Sequence, residues 1–222
     1  MPAVVAALVV LLVPIAIAEA TAPGTNGQIA FRRYLGPDRT KGAIFIAAPD
    51  GSGERQLTTP PAGSSDDFPD VAPDGSFVAF QRCATTCGIF IVKTDGSGLR
   101  RVDDGCPRLP PRCTDNSYPA ISPDGRQIAF DRAFGRIRGD TIDHSGTIHP
   151  DGTGLRQATH AGPATKVYSA SFSPDGTAIT LGMTGVDKQA DVYTMHTDGT
   201  GLAPVTRTPQ WDSAPDWGPP VP

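Results

Sequence analysis

The chain has 222 residues, enough for one sizeable core or two small ones. Its formal net charge is −4, from 19 Lys+Arg against 23 Asp+Glu, so there is no basic stripe to pull nonspecifically on nucleic acid. Glycine (25) and proline (23) are abundant, and nothing after residue 20 is long and apolar enough to cross a bilayer.

The first twenty residues, "MPAVVAALVVLLVPIAIAEA", carry no charge before Glu19 and are apolar across 3–17. Small residues at Ala16-Ile17-Ala18 and Ala18-Glu19-Ala20 form A-x-A-like cleavage sites. This reads as a secretory signal peptide over 1–20, although the usual basic n-region is absent; an uncleaved anchor is the alternative. Residues 21–26 then form a short linker, and the mature chain begins near Thr21. A periplasmic or extracellular location follows, with no membrane span after cleavage.

From residue 27 the chain is a succession of short apolar segments separated by turn residues. "GQIAF" (27–31), "AIFIA" (43–47) and "RQLT" (55–58) come first, with "DGSG" (50–53) between the last two. Next comes "FPDVAPDGSFVAFQR" (68–82), then "IFIV" (89–92), "DGSG" (95–98) and "RRV" (100–102). The sentence repeats as "YPAISPDGRQIAFDR" (118–132), with a degraded "HSGTI" (144–148), "DGTG" (151–154) and "QAT" (157–159). A looser copy, "SASFSPDGTAITLGM" (169–183), leads to "VYTM" (192–195), "DGTG" (198–201) and "PVT" (204–206). Asp-Gly supplies the positive φ of tight hairpins, so each unit is an antiparallel meander of four strands. The orphan segment "DSAPDWGP" (212–219) matches the first strand of a unit, the one that "GQIAF" lacks. Four-stranded units of this length are propeller blades. The fold class is therefore all-β: a β-propeller over 27–219 of four blades, closed by pairing of the two ends, with a tail at 220–222.

The pattern "SPDG-x-x-I-A-F" followed by "I-(F/Y)-x-(M/V)-x-x-DGSG-L-x-x-(L/V)-T" resembles the TolB-type, WD-like propeller repeat, across essentially the whole mature chain. Proteins of that type have six blades and an extra α/β domain. Four units and no such domain are counted here, so the resemblance implies the blade architecture and not a role in the Tol–Pal system.

Propeller topology puts the uniform "PDG" and "DGSG" turns on one face. The variable connections fall on the other: 32–42, 81–88, 131–140 and 182–191 within units, and 59–67, 103–116, 160–166 and 207–211 between them. Binding residues favour such loops on a rigid scaffold. Arg33, Arg82 and Arg132 share one repeat position, joined by Arg136 and Arg138, and a rim of guanidinium groups suits a carboxylate, phosphate or acidic peptide. The competing reading pairs each arginine with a nearby aspartate such as Asp131 or Asp140.

Four cysteines allow three pairings; the local one, Cys83–Cys87 with Cys106–Cys113, pins one loop each. Export favours disulfides over a zinc site, whose C-x3-C and C-x6-C spacing is irregular. No metal site or cofactor is expected: His149 and His196 fall on the structural turn face, and structural calcium in the channel has no motif behind it. No G-x-S-x-G elbow or H-E-x-x-H helix is present. The expectation is a monomeric, exported binding or scaffold module and not an enzyme, recognising a protein or peptide of the cell envelope or exterior through its loop face. The alternative is an exported, lyase-like carbohydrate-active enzyme with its site at the channel mouth.

Overall fold

The structure is a computed structural model that describes residues 27–105, 113–137, 140–159, 165–184 and 189–218, with backbone alone for 113–114, 135–137 and 140–142. The expected signal peptide, the tail at 220–222, His160, Cys106 and Arg138 lie outside the described residues, as do the side chains of Cys113 and Arg136.

All regular structure among the described residues is β. The first blade comprises β1 (Ile29–Tyr34), β2 (Gly42–Ala47) and β3 (Arg55–Gln56); the second, β4 (Ser65–Val71), β5 (Phe77–Cys83), β6 (Cys87–Lys93) and β7 (Arg100–Arg101). The third holds β8 (Cys113–Ile121), β9 (Ile128–Ile137), β10 (Asp140–Ile148) and β11 (Arg156–Gln157), and the fourth β12 (Val167–Phe172), β13 (Ala178–Thr184), β14 (Ala190–His196) and β15 (Ala203–Pro204). Each sheet pairs its strands in sequence order, all antiparallel. The molecule is a four-bladed β-propeller.

Three local devices explain the repeated motifs. In every Asp-Gly turn the aspartate Oδ1 accepts the N–H two residues on, at 2.8–3.0 Å (Asp50, Asp74, Asp95, Asp124, Asp151, Asp175 and Asp198), while the glycine takes positive φ. In "LT", "AT" and "VT", a threonine hydroxyl accepts an N–H from within the adjoining strand β2, β10 or β14: Thr58 from Ile44 (2.9 Å), Thr159 from Ser145 (2.8 Å), Thr206 from Val192 (3.0 Å). Asp103 does the same for Ile89 in the second blade. Finally, Phe68, Tyr118 and Ser169 take positive φ at one position of the inner strands, where the pairing register shifts. That is uncommon for residues with a Cβ; Phe68 N–H donates to Asp67 Oδ1 of its own strand (2.8 Å), and the other two are held by the preceding blade. Gln81 Oε1 accepts the Tyr118 N–H (3.3 Å), and Asp131 Oδ2 the Ser169 N–H (3.0 Å).

The hydrophobic core lies between blades, not within them. Ile44, Ile46 and Leu57 of the first blade pack on Val78, Phe80 and Val92 of the second. Ile89, Ile91 and Val102 pack on Ile128, Phe130 and Ile148, and the third junction joins Ala129 and Ala158 to Ile179, Leu181 and Met195. Arginines at the start of the fourth strands reinforce these junctions. Arg100 donates to the Pro150 carbonyl and Arg156 to the Asp198 carbonyl, and Arg55 lies beside the turn at Asp95. The fit at the last is close enough that a Cβ on Gly199 (φ 82°) would sit 2.5 Å from the Ala158 carbonyl oxygen.

One expected element differs. Residues 212–218 do not pair with β1: the first sheet has three strands, and β1 pairs with β2 alone among the described residues. The orphan segment nevertheless has the inner-strand conformation, with Ala214 (φ 55°) at the position of Phe68, Tyr118 and Ser169. It docks on the fourth blade through Asp212 N–H to the Ala190 carbonyl (2.7 Å), Ser171 Oγ to Asp216 Oδ1 (2.8 Å) and Ser213 against Gly182. The physical reason is the fourth junction. Three inter-blade cores join four blades, and the position of Arg55, Arg100 and Arg156 is Ala203 in the last blade. Among the described residues no apolar cluster joins blade four to blade one, and the arc is unlatched there.

Candidate functional site

The loop face begins where β1, β5, β9 and β13 end. Arg33, Arg82 and Arg132 do stand at equivalent places there, each held by a different acid. Arg82 is nearly buried: its Nε and Nη2 donate to the two oxygens of fully buried Asp66 at 2.6 and 2.7 Å, and its guanidinium stacks on Phe80 and Phe90. Arg33 stacks in the same way on Phe31 and Phe45, but its partner is exposed Glu54 (2.5 and 2.9 Å), from the far side of its own blade. Arg132 pairs with Asp104 of the preceding inter-blade link, and its Nε is buried without a hydrogen-bond partner. The partners are thus Glu54, Asp66 and Asp104, not Asp131, and the side chain of Asp140 lies outside the described residues. Of the three, Arg33 is the most exposed and Arg82 is cemented into the fold.

Cys83 and Cys87 sit directly opposite one another in the β5–β6 register and form a disulfide that closes this hairpin. His149 and His196 lie on the turn face, packed against Gly154 and Gly201, while buried His144 meets the edge of Phe134. No group of three or more His, Cys, Asp or Glu is placed to hold a metal ion among the described residues.

Two features escaped sequence reasoning. The first is aromatic. Phe68 and Tyr118, on neighbouring inner strands, meet with ring centroids 4.5 Å apart and stay exposed; half-buried Tyr168 and exposed Trp211 form a second pair, 5.8 Å apart. Their shared position before the "PD" or "PA" dipeptide was legible, but the positive φ that turns Phe68 and Tyr118 outward was not. The second is a group of carboxylates between the third and fourth blades. Burial is the main cause that pushes Asp131 up to about 8, with nearby Asp143 adding to it against the Ser169 N–H. Burial likewise raises Asp143, with Lys166 opposing and Asp115 assisting. Further along the inner strands, burial pushes Asp70 up to about 6 despite the Ile121 N–H that it accepts at 2.6 Å, and Asp216 contributes across the channel. Asp131 is thus a neutral acid at pH 7 whose Oδ1 has no partner. Its Oδ2 does for the fourth blade what Gln81 does for the third.

Comparison with solved structures identifies the architecture. TolB from Acinetobacter baumannii superposes with a TM-score of 0.61 at 17% identity, over 84% of this chain and 43% of that one. A putative TolB from Agrobacterium tumefaciens gives 0.61 at 21% identity, over 81% and 61%. The fold is TolB-like. Oligogalacturonate lyase from Vibrio parahaemolyticus also superposes, at 0.59 and 9% identity over 79% and 48%. The chain spans about half the length of these neighbours, so its arc overlays part of a larger propeller. No family model and no curated protein matches the sequence. The TolB-like frame is shared by a lyase and by TolB, so the chemistry of this chain rests on its own side chains.

Proposed function

We propose that the protein is an exported binding module that takes a protein or peptide segment on its loop face, against the aromatic pairs Phe68–Tyr118 and Tyr168–Trp211. The ring contacts of Phe68 with Tyr118 and of Tyr168 with Trp211 are the observation that carries the reading. Phe68, Tyr118 and Trp211 are open to solvent and Tyr168 is half-buried, so each pair presents aromatic surface outside the inter-blade cores. Exposed aromatics on a rigid frame are typical anchors of protein interfaces. The opposite face offers less: its turn aspartates are already engaged by backbone N–H groups. Arg33 and Arg132, at the rim, would add selectivity for acidic partners. Export rests on residues 1–20 and agrees with the Cys83–Cys87 disulfide. No helix among the described residues is long and apolar enough to cross a membrane.

A second reading, a carbohydrate-active enzyme, draws support from Asp131 and Asp143, because raised carboxylates gather at catalytic sites. Asp131 is more simply explained by its bond to Ser169.

Panning a displayed random-peptide library against the immobilised protein tests the binding reading. Enriched peptides should lose affinity for Tyr118→Ala and Trp211→Ala variants that melt like the parent. Absence of enrichment, or equal binding by both variants, overturns it. Turnover of an acidic oligosaccharide that is abolished by Asp143→Asn would favour the enzyme instead.

A further inference from the structure

The two ends of the arc expose matching halves of one junction. At the three internal junctions the position of Ile29 is Val78, Ile128 and Ile179, all fully buried, and that of Val205 is Leu57, Val102 and Ala158, buried at 8% or less. Ile29 and Val205 themselves are 52% and 60% exposed. The first blade thus presents the receiving face of a junction and the fourth presents the donating face. The missing strand is also at hand. Residues 212–217 already hold the inner-strand backbone, and their outward edge is unpaired among the described residues.

The register of this missing pair is fixed by its siblings. Val71 opposes Val78, Ile121 opposes Ile128 and Phe172 opposes Ile179. Repeat alignment then sets Trp217 opposite Ile29 and Asp212 opposite Arg33. Asp66, at the position of Asp212, is the buried partner of Arg82, at the position of Arg33. Arg33 is stacked on its two phenylalanines as Arg82 is; among the described residues its acid is the exposed Glu54, and the Asp212 carboxylate accepts from the Thr208 hydroxyl.

From this we infer that β1 is a docking edge for a second copy of this chain, whose residues 212–217 add to it as the fourth strand of the blade. Ile29 of one copy then covers Val205 of the other, and Arg33 exchanges Glu54 for the partner copy's acid at position 212. Two such contacts related by a two-fold axis join the two arcs, which removes both open edges of each copy. The expectation of a monomer followed from a ring closed within one chain, and the unpaired β1 withdraws its basis.

Sedimentation velocity on the full chain over a concentration series tests this. Twice the chain mass of 23.1 kDa is expected at high concentration. Arg33→Asp and Asp212→Arg should each weaken association by at least about tenfold, because each sets like charges opposite one another. The double variant should restore it, a result that misfolding would not give. In parallel, Ile29→Cys and Trp217→Cys are combined in one chain and oxidised. A linked dimer on a non-reducing gel supports the inference. A monomeric parent, an intrachain link at monomer mass, or no link at all overturns it.

Discussion

Asp131→Asn isolates one buried carboxyl and carries a magnitude set by the structure. Its carboxyl moves from 3.8 to about 8 on folding, chiefly through burial. The folded protein therefore holds this proton more tightly than the unfolded chain. The resulting stabilisation is complete below pH 4 and is lost as the pH rises towards 8. Between pH 5 and 7 the unfolded chain has released the proton and the folded one has not, so stability falls by about 1.4 kcal/mol per pH unit from this group alone. Asparagine is nearly isosteric, accepts the Ser169 N–H through its own carbonyl oxygen, and does not titrate. From pH 5 to 7 the parent should lose about 2.7 kcal/mol relative to the variant, or roughly 5–11 °C in Tm for a chain of this size. Asp70, raised to about 6, titrates in both proteins and cancels in the difference. Thermal melts of the two proteins at pH 5, 6 and 7 are the assay. Parallel Tm profiles would mean that Asp131 is ionised in the fold and that its burial does not govern its proton.

Removing the disulfide with Cys83→Ser and Cys87→Ser should cost about 2 kcal/mol, the loop-closure value for so short a loop, read as a lower midpoint in urea. Arg82→Ala leaves Asp66 buried without its cation and should destabilise by about 3–5 kcal/mol, whereas Arg33→Ala should leave the melting temperature of the monomer unchanged; chemical denaturation at low concentration separates the two. On the acid side, the Ser or Thr hydroxyl two residues on, with its N–H, lowers the turn aspartates Asp50, Asp74, Asp95, Asp151 and Asp198, and the Ser173 hydroxyl, followed by Thr177, lowers Asp175. Their contribution is present above pH 4 and lost as the pH falls through their folded values, so far-UV circular dichroism should show cooperative acid unfolding below about pH 4. Asp175→Ala should be less stable than the parent at pH 6 and equal to it in acid.

The blade count, the strand order and the turns were legible in the chain because each is local. Pro-Asp-Gly and Asp-Gly-x-Gly set turn geometry from two or three residues, and alternating apolar residues set the faces. The threonine of "QLT" was visible as a motif, but its duty of capping the third strand at Ile44 needed the β2–β3 pairing. The arginine position was also visible, but not its chemistry. Arg33, Arg82 and Arg132 meet Glu54, Asp66 and Asp104, acids that are 21, 16 and 28 residues away along the chain. The Phe68–Tyr118 pair was hidden because it depends on positive φ at both residues, held at Tyr118 by Gln81 of the adjoining blade and at Phe68 by Asp67.

Closure separates the two levels most clearly. Matching "DSAPDWGP" to the first strand of a blade, from the sequence by itself, determined what the segment is, and Ala214 confirms it by sharing the backbone of its siblings. Where that segment goes was decided only in three dimensions. Each blade is positioned by the apolar face of the one before it, whereas Val205 of the fourth blade and Ile29 of the first stay exposed. Strand identity is a property of a few neighbouring residues. Ring closure sums the rotation at every junction, and no single repeat encodes that sum.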